Sequence, residues 1–103
     1  MDYKLLVTQT ADGDLDAILT YIMVDVQNIE AAIHFADQVD EHYDKLIDNP
    51  YIYEECRQPL LKQSHYRKVV IGSYLLIYRI DDENHIVYVE RFFSSMQDYA
   101  PKL

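Results

Sequence analysis

The chain has 103 residues, half of them apolar, with 2 Gly, 3 Pro, 10 Tyr and a single cysteine. This is enough for one domain, spanning 1–103, with one modest core and long regular elements; it excludes a disordered segment, an internal disulfide, a cysteine zinc cluster and a membrane-spanning helix. The net charge of −9 is uneven: residues 1–55 carry 2 basic and 13 acidic side chains, a net of −11, and residues 56–103 carry 7 and 5, a net of +2. The acidic half repels nucleic acid at long range and suits either plain solubility or a basic protein partner, so any polyanion contact falls to the second half. Met1-Asp-Tyr-Lys lacks the basic stretch and apolar run of a signal peptide, and the lone Cys56 fits a reducing cytoplasm.

Residues 3–9 read as a short strand. Thr10 or Asp12 is expected to cap a helix whose apolar stripe is Leu15, Ile18, Leu19, Ile22 and Met23, with Asp12 and Asp14 in the first turn and Asp14, Asp16 and Asp25 off the stripe. Asn28 is expected to cap a second helix running to about Asp48. Its stripe is Ile29, Ala32, Ile33, Ala36, Val39, Tyr43, Leu46 and Ile47, and Asn49-Pro50 stops it. Two amphipathic helices this close in sequence fold back as a hairpin. After an irregular stretch at 49–64 come three strands, from Tyr66 to Phe93, joined by Gly72-Ser73 and by the acidic turn Asp81-Asp-Glu-Asn84, an antiparallel meander. The order is β-α-α-β-β-β, an α+β fold with a helix hairpin on one face of an antiparallel twisted sheet. The pattern leaves the place of the first strand in that sheet open.

Alternation puts Val87, Val89, Arg91 and Phe93 on one face of the last strand and Ile86, Tyr88, Glu90 and Phe92 on the other. Both sheet faces are apolar, so the face without helices is expected to expose apolar and aromatic surface beside arginines, where a partner would cover it. Arg67, Arg79 and Arg91 lie inside strands. They fit either a phosphate- or partner-binding patch or cross-strand pairs with Glu90, Asp81 or Asp82. His34, Asp37 and Glu41 share one side of the second helix, which fits a metal site or an ordinary solvated face, the latter preferred. His65 is the better acid/base candidate of the strand-flanking histidines, and His85, at a turn, is expected to be exposed. Tyr66, Tyr74, Tyr78 and Tyr88 fit base stacking or, preferably, core edges. Glu54 and Glu55 disfavour a Cys56 thiolate.

The helix hairpin followed by Tyr66-Arg-Lys, Gly72-Ser-Tyr-Leu-Leu-Ile-Tyr-Arg-Ile80 and Ile86-Val-Tyr-Val-Glu-Arg91 resembles the RelE/ParE superfamily of type II toxin–antitoxin toxins, over nearly the whole chain. The resemblance implies a bacterial or archaeal growth inhibitor, of the kind used in plasmid stabilization, working in the cytoplasm and neutralised by a cognate antitoxin. One branch of the superfamily cuts mRNA in the ribosome and the other poisons DNA gyrase. The nuclease branch often has arginine where this chain has Leu75, and His-Gly-Arg-Arg-Asp where it reads Ser94-Ser-Met-Gln-Asp98. The resemblance therefore leans to the gyrase-binding branch. The alternatives are an mRNA endoribonuclease with a rearranged site built from Arg67, Arg79, Arg91 and Tyr99, or a non-toxic remnant that binds only antitoxin. No cofactor, no metal, no membrane and no sequence-specific DNA binding by the chain alone are expected.

Overall fold

The computed structural model describes residues 3–57 and 65–95. A first strand, β1 (Lys4–Val7), leads into α1 (Gln9–Thr20), which continues as a π-helical turn, Tyr21–Asp25. Then come α2 (Ile29–Asp48), a 3-10 turn at Pro50–Ile52, and the strands β2 (Arg67–Ile71), β3 (Tyr74–Asp81) and β4 (Ile86–Ser94). The sheet order is β1-β4-β3-β2. The first strand thus takes an edge beside the last, and the two run parallel, with Lys4 opposite Ile86 and Val7 opposite Val89.

Helix α1 begins earlier than the Thr10 or Asp12 cap expected from sequence. Thr8 is the cap: its hydroxyl accepts from Ala11 N–H and donates to the Glu90 carbonyl, each at 3.1 Å. The Thr8 N–H also donates to the Val89 carbonyl at 3.1 Å. One residue therefore ends the β1–β4 ladder and opens the helix. Asp14 consequently leaves the first turn, where Asp12 remains. Exposed Gly13 sits inside this helix with open space around the position of a Cβ. Gly13→Ala is expected to raise stability by about 0.5–1 kcal/mol, read as an upward shift of the urea midpoint at unchanged slope.

The Asn28 side chain caps α2, accepting from Ala31 N–H at 3.0 Å, as its sequence position implies. Helix α2 buries Ala32, Phe35, Val39 and Leu46. Two members of the expected stripe, Ile29 and Ile33, are instead 63% and 58% exposed, and Phe35 supplies the anchor there. Met23 is also exposed, because the π-helical turn breaks the helical spacing that predicts its facing.

The helices pack on one sheet face, where Leu76, Tyr78, Val69, Ile71, Val87, Val89 and Phe92 join Phe35, Val39 and Leu46. Simple alternation fails in β4. Ile77 faces Arg91 while Tyr78 faces Val89, so Glu90 is an extra residue, a bulge. Phe92 therefore joins Val87 and Val89 in the core, and Arg91 and Phe93 turn to the far face. That far face is not the exposed aromatic surface expected. Leu75, Ile77 and Phe93 are 7%, 0% and 2% exposed and cluster with buried Cys56 and half-buried Tyr66. The chain after α2 causes this by returning along the β2 edge. Glu55 bridges Arg67, and Cys56 N–H donates to the Tyr66 carbonyl at 2.9 Å.

Candidate functional site

The three strand arginines do not converge. Arg67 lies on the helix-side face with Val69 and Ile71, opposite Tyr78. It donates to the Tyr53 carbonyl at 2.6 Å, lies 3.5 Å from Glu55, and covers the Tyr51 ring at 4.9 Å. Arg79 and Arg91 occupy the far face. Arg79 pairs with Glu90 at 3.1 Å and lies 4.2 Å over the Tyr88 ring. Arg91 grips Asp14 with two hydrogen bonds, 2.7 and 3.2 Å, and lies 4.7 Å over Phe93. Asp14 also accepts from Phe92 N–H at 3.0 Å. Each arginine thus has a carboxylate of its own chain beside it and an aromatic ring under it. Tyr99 lies outside the described residues.

Asp14, expected from the sequence in the first turn of α1 and off its stripe, lines a cleft of about 460 Å³ between α1 and the end of β4. Its walls are Ile18, Tyr21, Tyr74, Phe92 and Phe93, with Arg91 beside Asp14. Tyr74 itself is held by an edge-on contact with Phe35, centroids 5.2 Å apart. This cleft suits an apolar side chain of a partner better than a phosphate, because its guanidinium is already matched by a carboxylate.

A second cluster sits at the opposite end of the sheet. Asp82 accepts from Tyr3 at 2.9 Å and from the Tyr51 hydroxyl. The bond to Asp82 pushes the Tyr51 phenol up to about 12 and holds the Asp82 carboxyl below its usual range. A smaller pocket there is lined by Tyr51, Glu55, His65, Arg67 and Asp82, which places the acid/base candidate His65 near Arg67. His85 is not simply exposed: it stacks on Tyr3, centroids 5.2 Å apart, with Nδ1 buried. Tyr66, Tyr74 and Tyr78 pack on the two cores, and Tyr88 lies under Arg79. Among the described residues no group of His, Cys, Asp and Glu is placed to hold a metal, His34, Asp37 and Glu41 included. Cys56 is buried, and its thiol is pushed up by that burial, with Glu54 and Glu55 adding to the shift and Lys68 opposing it. No helix among the described residues is long and apolar enough to cross a membrane.

His42, on α2, is half-buried beside the Tyr53 ring, centroids 5.6 Å apart. Its Nδ1 shares a hydrogen bond with the Tyr53 hydroxyl at 2.6 Å. Burial lowers its pKa, Lys45 adds to this, and Glu41 opposes it. The unfolded chain then takes up this proton first as pH falls, so the contribution is intact above about pH 6.5 and is lost below it. Melting temperature is expected to fall more steeply below that pH in the native protein than in His42→Gln. Parallel curves would remove His42 from the acid transition.

Residues 5–99 match the model of the family described as ParE toxin of type II toxin–antitoxin system, parDE. Similar solved structures include two toxin–antitoxin systems. One is the toxin–antitoxin complex RelBE2 from Mycobacterium tuberculosis, at 26% identity over 91% of this chain and 99% of that one, TM-score 0.59. The other, the chromosomal ParDE toxin–antitoxin system from P. aeruginosa, shares the fold at 19% identity over 89% and 95%, TM-score 0.68. No curated protein matches the sequence.

Proposed function

This chain belongs to the ParE toxin family of type II toxin–antitoxin systems, and on that premise we propose that it inhibits growth by binding a protein, DNA gyrase, and that a cognate antitoxin silences it. The carrying observation is the pairing of Arg67, Arg79 and Arg91 with Glu55, Glu90 and Asp14, within 3.5, 3.1 and 2.7 Å. Stabilising a pentavalent phosphate needs positioned cations that are not already matched by carboxylates. The net charge of −9 also works against approach to RNA. An apolar-walled cleft with an internal ion pair in its lining suits protein recognition instead. The site of action is the cytoplasm, where gyrase works.

The likeness to RelBE2 favours a second reading, cleavage of ribosome-bound mRNA by Arg67, Arg79, Arg91 and Tyr99. Expression without antitoxin separates the two. Loss of supercoiling and a DNA-damage response with intact mRNA are expected. Translation-dependent mRNA cleavage would establish the nuclease, and normal growth with folded protein would leave neither. If cleavage appears, single alanine replacements of the four residues show which of them carry it.

A further inference from the structure

We propose that the tip of the helix hairpin, residues 21–33, is a docking surface for a cationic amphipathic helix of a partner protein. Tyr21, Val24, Val26, Ile29 and Ile33 are all between 50% and 63% exposed there. Single exposed apolar residues need no explanation, but a run of five at one end of the molecule marks an interaction surface. The tip is also pre-formed. Val26 N–H closes the π-helical turn onto the Tyr21 carbonyl at 3.0 Å, and Asn28 N–H donates to the Ile22 carbonyl at 3.1 Å. Binding there orders little further backbone.

Charge selects the occupant. Between Lys4 and Lys45 the chain has nine Asp or Glu and not one Lys or Arg. Among the described residues only Asp14 of these nine has a cationic partner within 4.0 Å. Asp25 and Glu30 sit within the tip, and Asp37 stands one turn beyond Ile33 on the same helix side. A second copy would set two such acidic hairpins against each other, and an anionic membrane or nucleic acid would be repelled. A helix with an apolar stripe at i, i+3, i+4 and i+7 and Lys or Arg along its flanks matches both the apolar and the acidic parts.

The probe is an amphipathic Leu/Lys helical peptide of about 18 residues, with a matched Leu/Glu peptide as its control. Backbone amide shifts of the full chain are followed by NMR. Saturable shifts centred on residues 21–33 are expected with the Leu/Lys peptide. Val24→Ser and Ile33→Ser, both solvent-exposed and so compatible with the native fold, are expected to weaken binding at least tenfold. Raising salt from about 50 to 500 mM is expected to weaken it as well. The absence of saturable binding, equal binding of the Leu/Glu peptide, or shifts spread over the chain and indifferent to either serine would overturn the proposal. Self-association abolished by those serines would overturn it in favour of a second copy.

Discussion

Tyr78→Ala is expected to cost about 4–5 kcal/mol and to lower the melting temperature by roughly 20 °C or more. Tyr78 is fully buried in the middle of the core between helices and sheet. Removing its ring leaves a cavity that the flanking β2 and β4 strands cannot close without breaking their ladders. Its hydroxyl also donates to the Pro50 carbonyl at 2.6 Å, tying the end of α2 to β3. Phenylalanine isolates that second part: Tyr78→Phe is expected to cost about 1–2 kcal/mol, because the Pro50 carbonyl loses this donor in a buried place. Tyr43 is the control. Its hydroxyl is buried with no hydrogen-bond partner among the described residues, so Tyr43→Phe is expected to be neutral or stabilising. Urea unfolding of the three variants checks this order, and a Tyr43→Phe loss matching that of Tyr78→Phe would refute it.

The same two phenols set an alkaline limit. Burial raises both pKa values well above the usual 10. The folded state therefore keeps its phenolic protons after the unfolded chain begins to lose them, and stability falls as pH rises above about 10. Each phenylalanine variant is expected to flatten part of that fall.

Element order was legible because period and punctuation are local properties. Alternation marked three strands, the helical stripes marked two helices, and Asn28 and Asn49-Pro50 marked ends of α2 that the structure keeps. What sequence missed depends on contacts between distant residues. Thr8, Thr10 and Asp12 are all competent caps, and only the β4 carbonyl reached by the Thr8 hydroxyl selects the first. The Glu90 bulge leaves no mark in a run of alternating residues, yet it moves Phe92 into the core and Arg91 out of it. Among the arginine pairings, Arg79 with Glu90 was legible, since both lie in strands that had to be neighbours. Arg91 with Asp14 was not, because the two are 77 positions apart and the place of β1, which sets α1 against β4, could not be read.

That long-range pair has the second large expected effect. Asp14→Ala is expected to cost about 2–3 kcal/mol, since one carboxylate accepts two bonds from Arg91 and one from Phe92 N–H. Both side chains are partly open to water, so the loss stays below that of a fully buried pair. Arg91→Ala is expected to cost less, about 1–2 kcal/mol, because Asp14 keeps the Phe92 amide. In the double variant the losses are expected not to add, with a coupling of about 1–2 kcal/mol. Additive losses would mean that the two side chains act on separate neighbours. The mechanism follows from sheet geometry. β1 covers the β4 edge only as far as Val89, and beyond it no strand among the described residues lies beside the Phe92 amide on that edge. Asp14 supplies the acceptor that a longer first strand would have supplied, and Arg91 neutralises the charge brought in to do so. The pair is thus a seam between α1 and β4, and it explains why an arginine in a toxin fold's last strand is matched within its own chain. Antitoxin binding by Asp14→Asn, which keeps the shape of the cleft and weakens the seam, would then separate the scaffold from the proposed recognition surface.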